Sequence, residues 1–217
     1  MKHFLLIVFS FCITQVIAQN NKPFELILKV HPLALINPDR PSIQGSVETK
    51  FFNRVGFEYS YGFRYFEYMA TIWNYDTLVI SPKGHNNRYE IKSHRLFFTD
   101  NDLSDFITFG YWYIYDARNK RTRYYENNEI KTDYFGLIKN TNVYAIGYGI
   151  MKDFERFTLE GAINIGVRRT KILWMRNEFD INSHTPFGDL YNWEYPGDRW
   201  LPHLNLNLKI GIKLLSI

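Results

Sequence analysis

The stretch LPHLNLNLKIGIKLL, residues 201–215, limits what this chain can fold into more than any other. Leu204, Leu206, Leu208, Ile210, Ile212 and Leu214 share one parity, and His203, Asn205, Asn207, Lys209, Gly211 and Lys213 share the other. A period of two places these sets on opposite faces of a β-strand, because successive side chains leave an extended backbone on opposite sides. The strand therefore has one apolar and one polar face along its whole length. The fold turns on what the apolar face meets, a protein core or lipid.

The same alternation recurs along the chain and predicts eight strands. Residues 24–36 put Phe24, Leu26, Leu28, Val30, Ala34 and Ile36 on one face, and Pro32, which lacks a ladder donor, predicts a bulge or the barrel seam. Residues 42–51 and 54–66 follow, joined by a tight turn at Phe52-Asn53. In the second of these, Val55, Phe57, Tyr59, Tyr61, Phe63 and Tyr65 oppose Arg54, Gly56, Glu58, Ser60, Gly62 and Arg64. The strand at 88–98 alternates least, which predicts a bulge that switches its facing. Strands at 106–115, 141–151, 157–168 and 201–215 complete the set.

Connection lengths order these strands. The second, fourth and sixth connections are short, the first is intermediate, and the third, fifth and seventh, about residues 67–87, 116–140 and 169–199, are long. Alternate connections of an up-and-down barrel emerge on the same side, so the long ones gather at one rim. That asymmetry, and strands of roughly 10 residues, are what a transmembrane barrel requires. The expected fold class is all-β, an up-and-down antiparallel transmembrane β-barrel of eight strands.

Composition agrees. Aromatic residues make up 18% of the chain, with 16 Tyr, 18 Phe and 5 Trp, a richness that membrane barrels use for interfacial girdles. The mean hydropathy of −0.30 is no argument against lipid contact, because alternating strands average towards zero. The formal net charge is +4, and no basic run exceeds Arg168-Arg169 and the cluster from Lys120 to Arg123. Nucleic-acid binding is therefore not expected.

The first twenty residues, MKHFLLIVFSFCITQVIAQN, have a basic head at Lys2, an apolar run from Phe4 to Ile13, and Val16 and Ala18 at signal-peptidase spacing. Residues 1–18 are expected to be a signal peptide cleaved after Ala18, and residues 19–217 a single barrel domain. Cleavage would remove Cys12, the only cysteine, so the mature chain would hold no internal disulfide. Cys12 follows Phe11 inside the apolar run, which argues against a lipoprotein.

The polar face repeatedly carries small residues, among them Gly56, Ser60, Gly62, Gly147, Gly149, Ala162, Gly166 and Gly211. Small side chains interleaved with charges fit the inside of a narrow barrel, where space is limited. Glu48, Lys50, Glu58, Arg64, Glu160, Arg168, Lys209 and Lys213 would meet there and neutralise one another. The alternative is a soluble exported barrel, lipocalin-like, with the apolar face turned inward around a ligand pocket.

The leader, VGFEYSYGFRYF, FTLEGAINIGVRR and the terminal strand together make the chain resemble the small eight-stranded outer-membrane barrels of diderm bacteria, with OmpA/OmpX-like architecture, and bacterial outer-membrane β-barrel domain families. The resemblance is one of pattern over the whole mature chain. It implies residence in the bacterial outer membrane, contact with outer-membrane lipid, and passage through the barrel-assembly machinery. One departure is the ending Ser216-Ile217, where such barrels often carry an aromatic residue.

Candidate chemistry is sparse. Ser183-His184, with Asp180 or Asp189 nearby, is the only grouping of nucleophile, base and carboxylate, and loop polarity accounts for it equally well. A lipid-modifying enzyme is therefore the third reading. His31 and His203 share lumen-facing parity near the expected seam and could begin a metal site, although zinc needs three or four protein ligands. Trp73, Tyr75, Trp174, Phe179, Phe187, Tyr191, Trp193, Tyr195 and Trp200 crowd the expected external segments, where rigid rings suit recognition of an external ligand or protein. The expectation is a non-enzymatic outer-membrane barrel with a side-chain-filled lumen and a structural or surface-recognition role. No residue is assigned to catalysis, a cofactor or a metal.

Overall fold

A computed structural model describes residues 23–35, 42–64, 68–72, 75–97, 102–126, 129–174 and 197–216. The strands are β1 (Phe24–Val30), β2 (Ile43–Phe51), β3 (Val55–Phe63), β4 (Tyr68–Ile72), β5 (Tyr75–His94), β6 (Leu103–Glu126), β7 (Glu129–Phe154), β8 (Phe157–Trp174) and β9 (Gly197–Ser216). All neighbours pair antiparallel in the order β3-β2-β1-β9-β8-β7-β6-β5, and a β3–β5 pairing closes the ring. β4 pairs with β5 only, so the closed barrel has eight strands and β4 continues the line of β3 beyond it. The seam between first and last strands runs from Glu25↔Ser216 to Val30↔Ile210, with a bulge at Leu26/Ile27.

The alternation fixes which residues face in. Ser46, Glu48 and Lys50 on β2, Glu58 and Ser60 on β3, and Thr158, Glu160 and Asn164 on β8 are buried. Their alternate neighbours are exposed: Leu204 is 70% exposed, Leu206 61% and Ile163 56%. The barrel is thus apolar outside and polar inside, the reverse of a soluble protein and of the lipocalin-like alternative.

The turn between β2 and β3 is as tight as expected. Arg54 N–H donates to the Phe51 carbonyl at 2.9 Å, and Phe52 and Asn53 both have positive φ, 49° and 56°. That is the conformation whose twist matches a two-residue hairpin.

Three expectations need correction. The first strand stops at Val30, and Pro32–Leu35 form a single helical turn, α1. Proline suits the first position of a helix, because its missing donor would be unpaired there anyway. The strand expected from residue 88 keeps its facing throughout, with Arg88, Glu90, Lys92 and His94 all buried; its register shift falls earlier, between Ile80 and Lys83. Finally, two of the long segments, 67–87 and 116–140, are largely strand. β6 and β7 continue as one ladder to Glu126↔Glu129, β5 begins at Tyr75 and β8 runs to Trp174. Polar, charged composition had suggested loops, but main-chain pairing between two strands does not require an apolar side.

Residues 1–18, expected to be a signal peptide, the Ser183-His184 group with Asp180 and Asp189, Trp73, and the rings from Phe179 to Tyr195 lie outside the described residues.

Candidate functional site

The hairpin register builds the lumen. The β2–β3 ladder pairs Phe51 with Val55, one residue past the Phe52-Asn53 turn, which sets Glu48 opposite Glu58, and Glu58 in turn stands opposite Glu90 on β5. Three carboxylates therefore lie in one rank across adjacent strands, an arrangement that would repel itself unless cations reached it. They do, from around the ring. Lys92 Nζ lies 2.6 Å from Glu58, 2.7 Å from Glu160 and 3.3 Å from Glu48. Lys209 Nζ reaches Glu58 at 2.7 Å, Glu90 at 2.9 Å and Glu160 at 3.2 Å. Lys29 bonds Glu48 and Glu160 and sits 3.2 Å from Glu58. Arg88 pairs with Glu90 at 2.5 Å.

Lys29, Arg88, Lys92 and Lys209 thus balance Glu48, Glu58, Glu90 and Glu160 in a neutral ionic plug. Burying such groups is tolerable because each is paired and hydrogen-bonded more than once. Ser60 and Thr108 hydroxyls donate to Glu58 and Glu90, each at 3.2 Å, and the His94 ring lies 3.0 Å from Glu48.

Below the plug, toward the short turns, Lys50 lies 3.6 Å from Glu25, and Lys213 lies 2.9 Å from Asp153. On the opposite wall Phe106, Met151 and Ala162 make a small apolar cluster. The glycines of that wall are spaces for other residues. A Cβ on Gly149 would overlap Phe106 and lie 2.8 Å from the Ala162 Cβ.

Above the plug lies a cavity of about 560 Å³, in the half of the barrel nearer the long hairpins. Its polar lining includes His31, Arg64, Arg88, Trp112, Arg168 and His203. Arg64 pairs with Asp116 at 2.7 Å. The Arg88 guanidinium lies 4.1 Å from the Trp112 ring centroid, and the His203 ring meets Trp112 edge-on at 4.8 Å. Trp112 and Arg88 thus form a floor between cavity and plug.

Of the residues singled out from sequence, Glu48, Glu58, Glu160 and Lys209 come together as expected. Lys29, Arg88, Glu90 and Lys92 were missed, although the period of two in RYEIKSH carries three of them. His31 and His203 both face inward, but the seam pairing ends at Val30↔Ile210, and His203 stands seven residues beyond Ile210 on β9. His31 bonds Ser46 Oγ at 3.0 Å, so the expected adjacency at the seam is not formed. Glu48, Glu58 and Glu160 offer oxygens within 4.8 Å of one another, but lysine ammonium groups already fill the place a cation would take.

These features define a closed, antiparallel eight-stranded β-barrel with an ionic interior. No family model matches the chain, and no curated protein is similar to it in sequence. Among solved structures, the crystal structure of Acinetobacter baumannii CarO is similar at 12% identity over 89% of this chain and 97% of that chain, with a TM-score of 0.39.

Proposed function

We propose that this chain is a non-enzymatic integral protein of a bacterial outer membrane, with a structural or surface-recognition role. The observation that carries the reading is the outward face: Phe157, Leu159, Ile163, Ile165 and Val167 on β8, and Leu204, Leu206, Ile210, Ile212 and Leu214 on β9, are all exposed. From Phe157 to Val167 the strand advances about 33 Å, or about 25 Å along the axis at a tilt near 40°, the height of a barrel's apolar band. Water-soluble monomers rarely leave so continuous an apolar wall uncovered, which supports lipid as its surroundings.

A row of rings slants across the outer wall, from Tyr59 beside Glu58 up to Tyr144, the register partner of Val167. Tyr59, Tyr89, Tyr111 and Tyr144 are register partners in turn, with centroids 5.2, 6.4 and 5.4 Å apart. Tyr59 and Tyr111 hydroxyls donate to Asn87 and Asn142, both at 2.8 Å. Rings with one apolar body and one polar tip belong at a headgroup boundary. The hairpins beyond them would then stand in the external medium, available to partners.

Extraction of envelopes with carbonate or urea tests the placement. The protein is expected to stay in the membrane pellet and, in detergent, to migrate differently before and after boiling. Release as a soluble monomer overturns the reading.

A further inference from the structure

We propose that the cavity above the plug binds a small organic anion with an apolar body. This deepens the recognition reading and rests on it only for which side the mouth faces. The volume, about 560 Å³, is in the range of small-molecule sites. Its charged lining is one-sided: Arg64, Arg88 and Arg168 line it beside the imidazoles of His31 and His203, and no Asp or Glu is among its described lining residues. Asp116 and Glu90, which pair with Arg64 and Arg88, are buried outside that lining, and a low-dielectric funnel whose charged lining is cationic concentrates anions.

Unused hydrogen-bonding capacity points the same way. Arg88 Nε and Asn207 Nδ2 are buried donors without a partner, and Arg88 is only 7% exposed. Buried donors of this kind call for an acceptor. An anionic oxygen supplies it, and guanidinium geometry suits carboxylate or phosphate equally. Asn86 and Asn205 carry unpaired amide oxygens that suit a hydroxyl or amino substituent. Trp112, Ile114 and Val143 provide apolar wall for the remainder of the molecule.

The test is titration calorimetry of the detergent-folded, full-length mature protein with benzoate, phenyl phosphate, benzamide and benzylammonium. At least one of the two anions is expected to bind ten-fold or more tightly than benzamide, with no binding of benzylammonium. Raising the salt from 50 to 500 mM is expected to weaken anion binding several-fold. Arg168→Gln, at the edge of the cavity and outside the plug, is expected to lower anion affinity about ten-fold, and Arg168→Lys to retain most of it. Should Arg168→Gln lose its heat-modifiable folded form, the salt dependence and the benzamide comparison decide alone. Failure of both anions to bind, or equal binding of benzamide or benzylammonium, overturns the proposal. Because folding is scored separately by gel mobility, that failure leaves the membrane placement standing.

Discussion

Lys92 shows how much rests on single side chains in this lumen. Its ammonium group lies within 3.3 Å of Glu48, Glu58 and Glu160 at once, so replacing it leaves three carboxylates facing one another with one cation fewer. Lys92→Met is expected to destabilise the folded barrel by about 3–5 kcal/mol, the usual penalty for an orphaned buried charge. Urea unfolding in detergent micelles measures it. Adding Glu160→Gln restores the charge balance and is expected to recover part of the loss; a double variant no better than the single would show that the plug is not held by compensation. Gly149 has a steric role instead. A valine there must displace Phe106 or Ala162, and overpacking of this kind destabilises by about 1–3 kcal/mol, visible as a lower urea midpoint.

At the scale of the strand, face matters more than residue. Leu206 lies mid-band on β9 and points outward, while Asn207 beside it points inward. Leu206→Arg is expected to destabilise the protein in bilayers by about 2–4 kcal/mol, and an arginine at exposed Ile130, near the end of the β6–β7 ladder, to have a far smaller effect. Spin labels at Leu206 and Ile163 are expected to be accessible to a lipid-soluble quencher and shielded from an aqueous one. The reverse pattern would turn the barrel inside out.

This facing was legible in the sequence because a period of two is a local property: Leu204 to Leu214 declare it without any partner. Strand ends were not. Val30 ends β1 because Pro32 starts a helical turn, a local cause, whereas β6 continues past Tyr115 because β7 accompanies it to Glu129, which depends on residues up to 25 positions away, as at Tyr115↔Asn140. Glu48, Glu58 and Lys209 could be assigned to the lumen from parity alone, but Glu48 opposite Glu58 could not be read from the turn at Phe52-Asn53, since a two-residue turn would set Glu48 against Phe57 and the ladder is shifted by one residue. That Lys29 answers them could not be read either, since it requires the ring to close. The cavity had no local signal, because its lining comes from α1 and from β2, β3, β5, β6, β7, β8 and β9, residues whose height along the barrel follows from the stagger of the whole ring.

For the molecule as a whole, the plug decides what can pass. Eight strands enclose a space that side chains fill, and here the filling is a ring of interlocked lysines and glutamates. Reconstituted into planar bilayers, the protein is expected to show no steady ohmic conductance, whereas a variant lacking both Lys92 and Glu160 side chains beyond Cβ should leak if it folds. Steady conductance of the unaltered protein would show that the plug yields.

The plug also bears on biogenesis. Glu58 and Lys209 lie 151 positions apart in the chain, and Lys29 and Glu160 are separated by 131, so its bonds join residues early and late in the sequence. A half-built barrel, open at the seam between β1 and β9, would hold a rank of carboxylates with Lys209 not yet delivered. Electroneutrality arrives only with the last strand, which makes completion favourable and arrest partway unfavourable: the finished ring certifies its own closure.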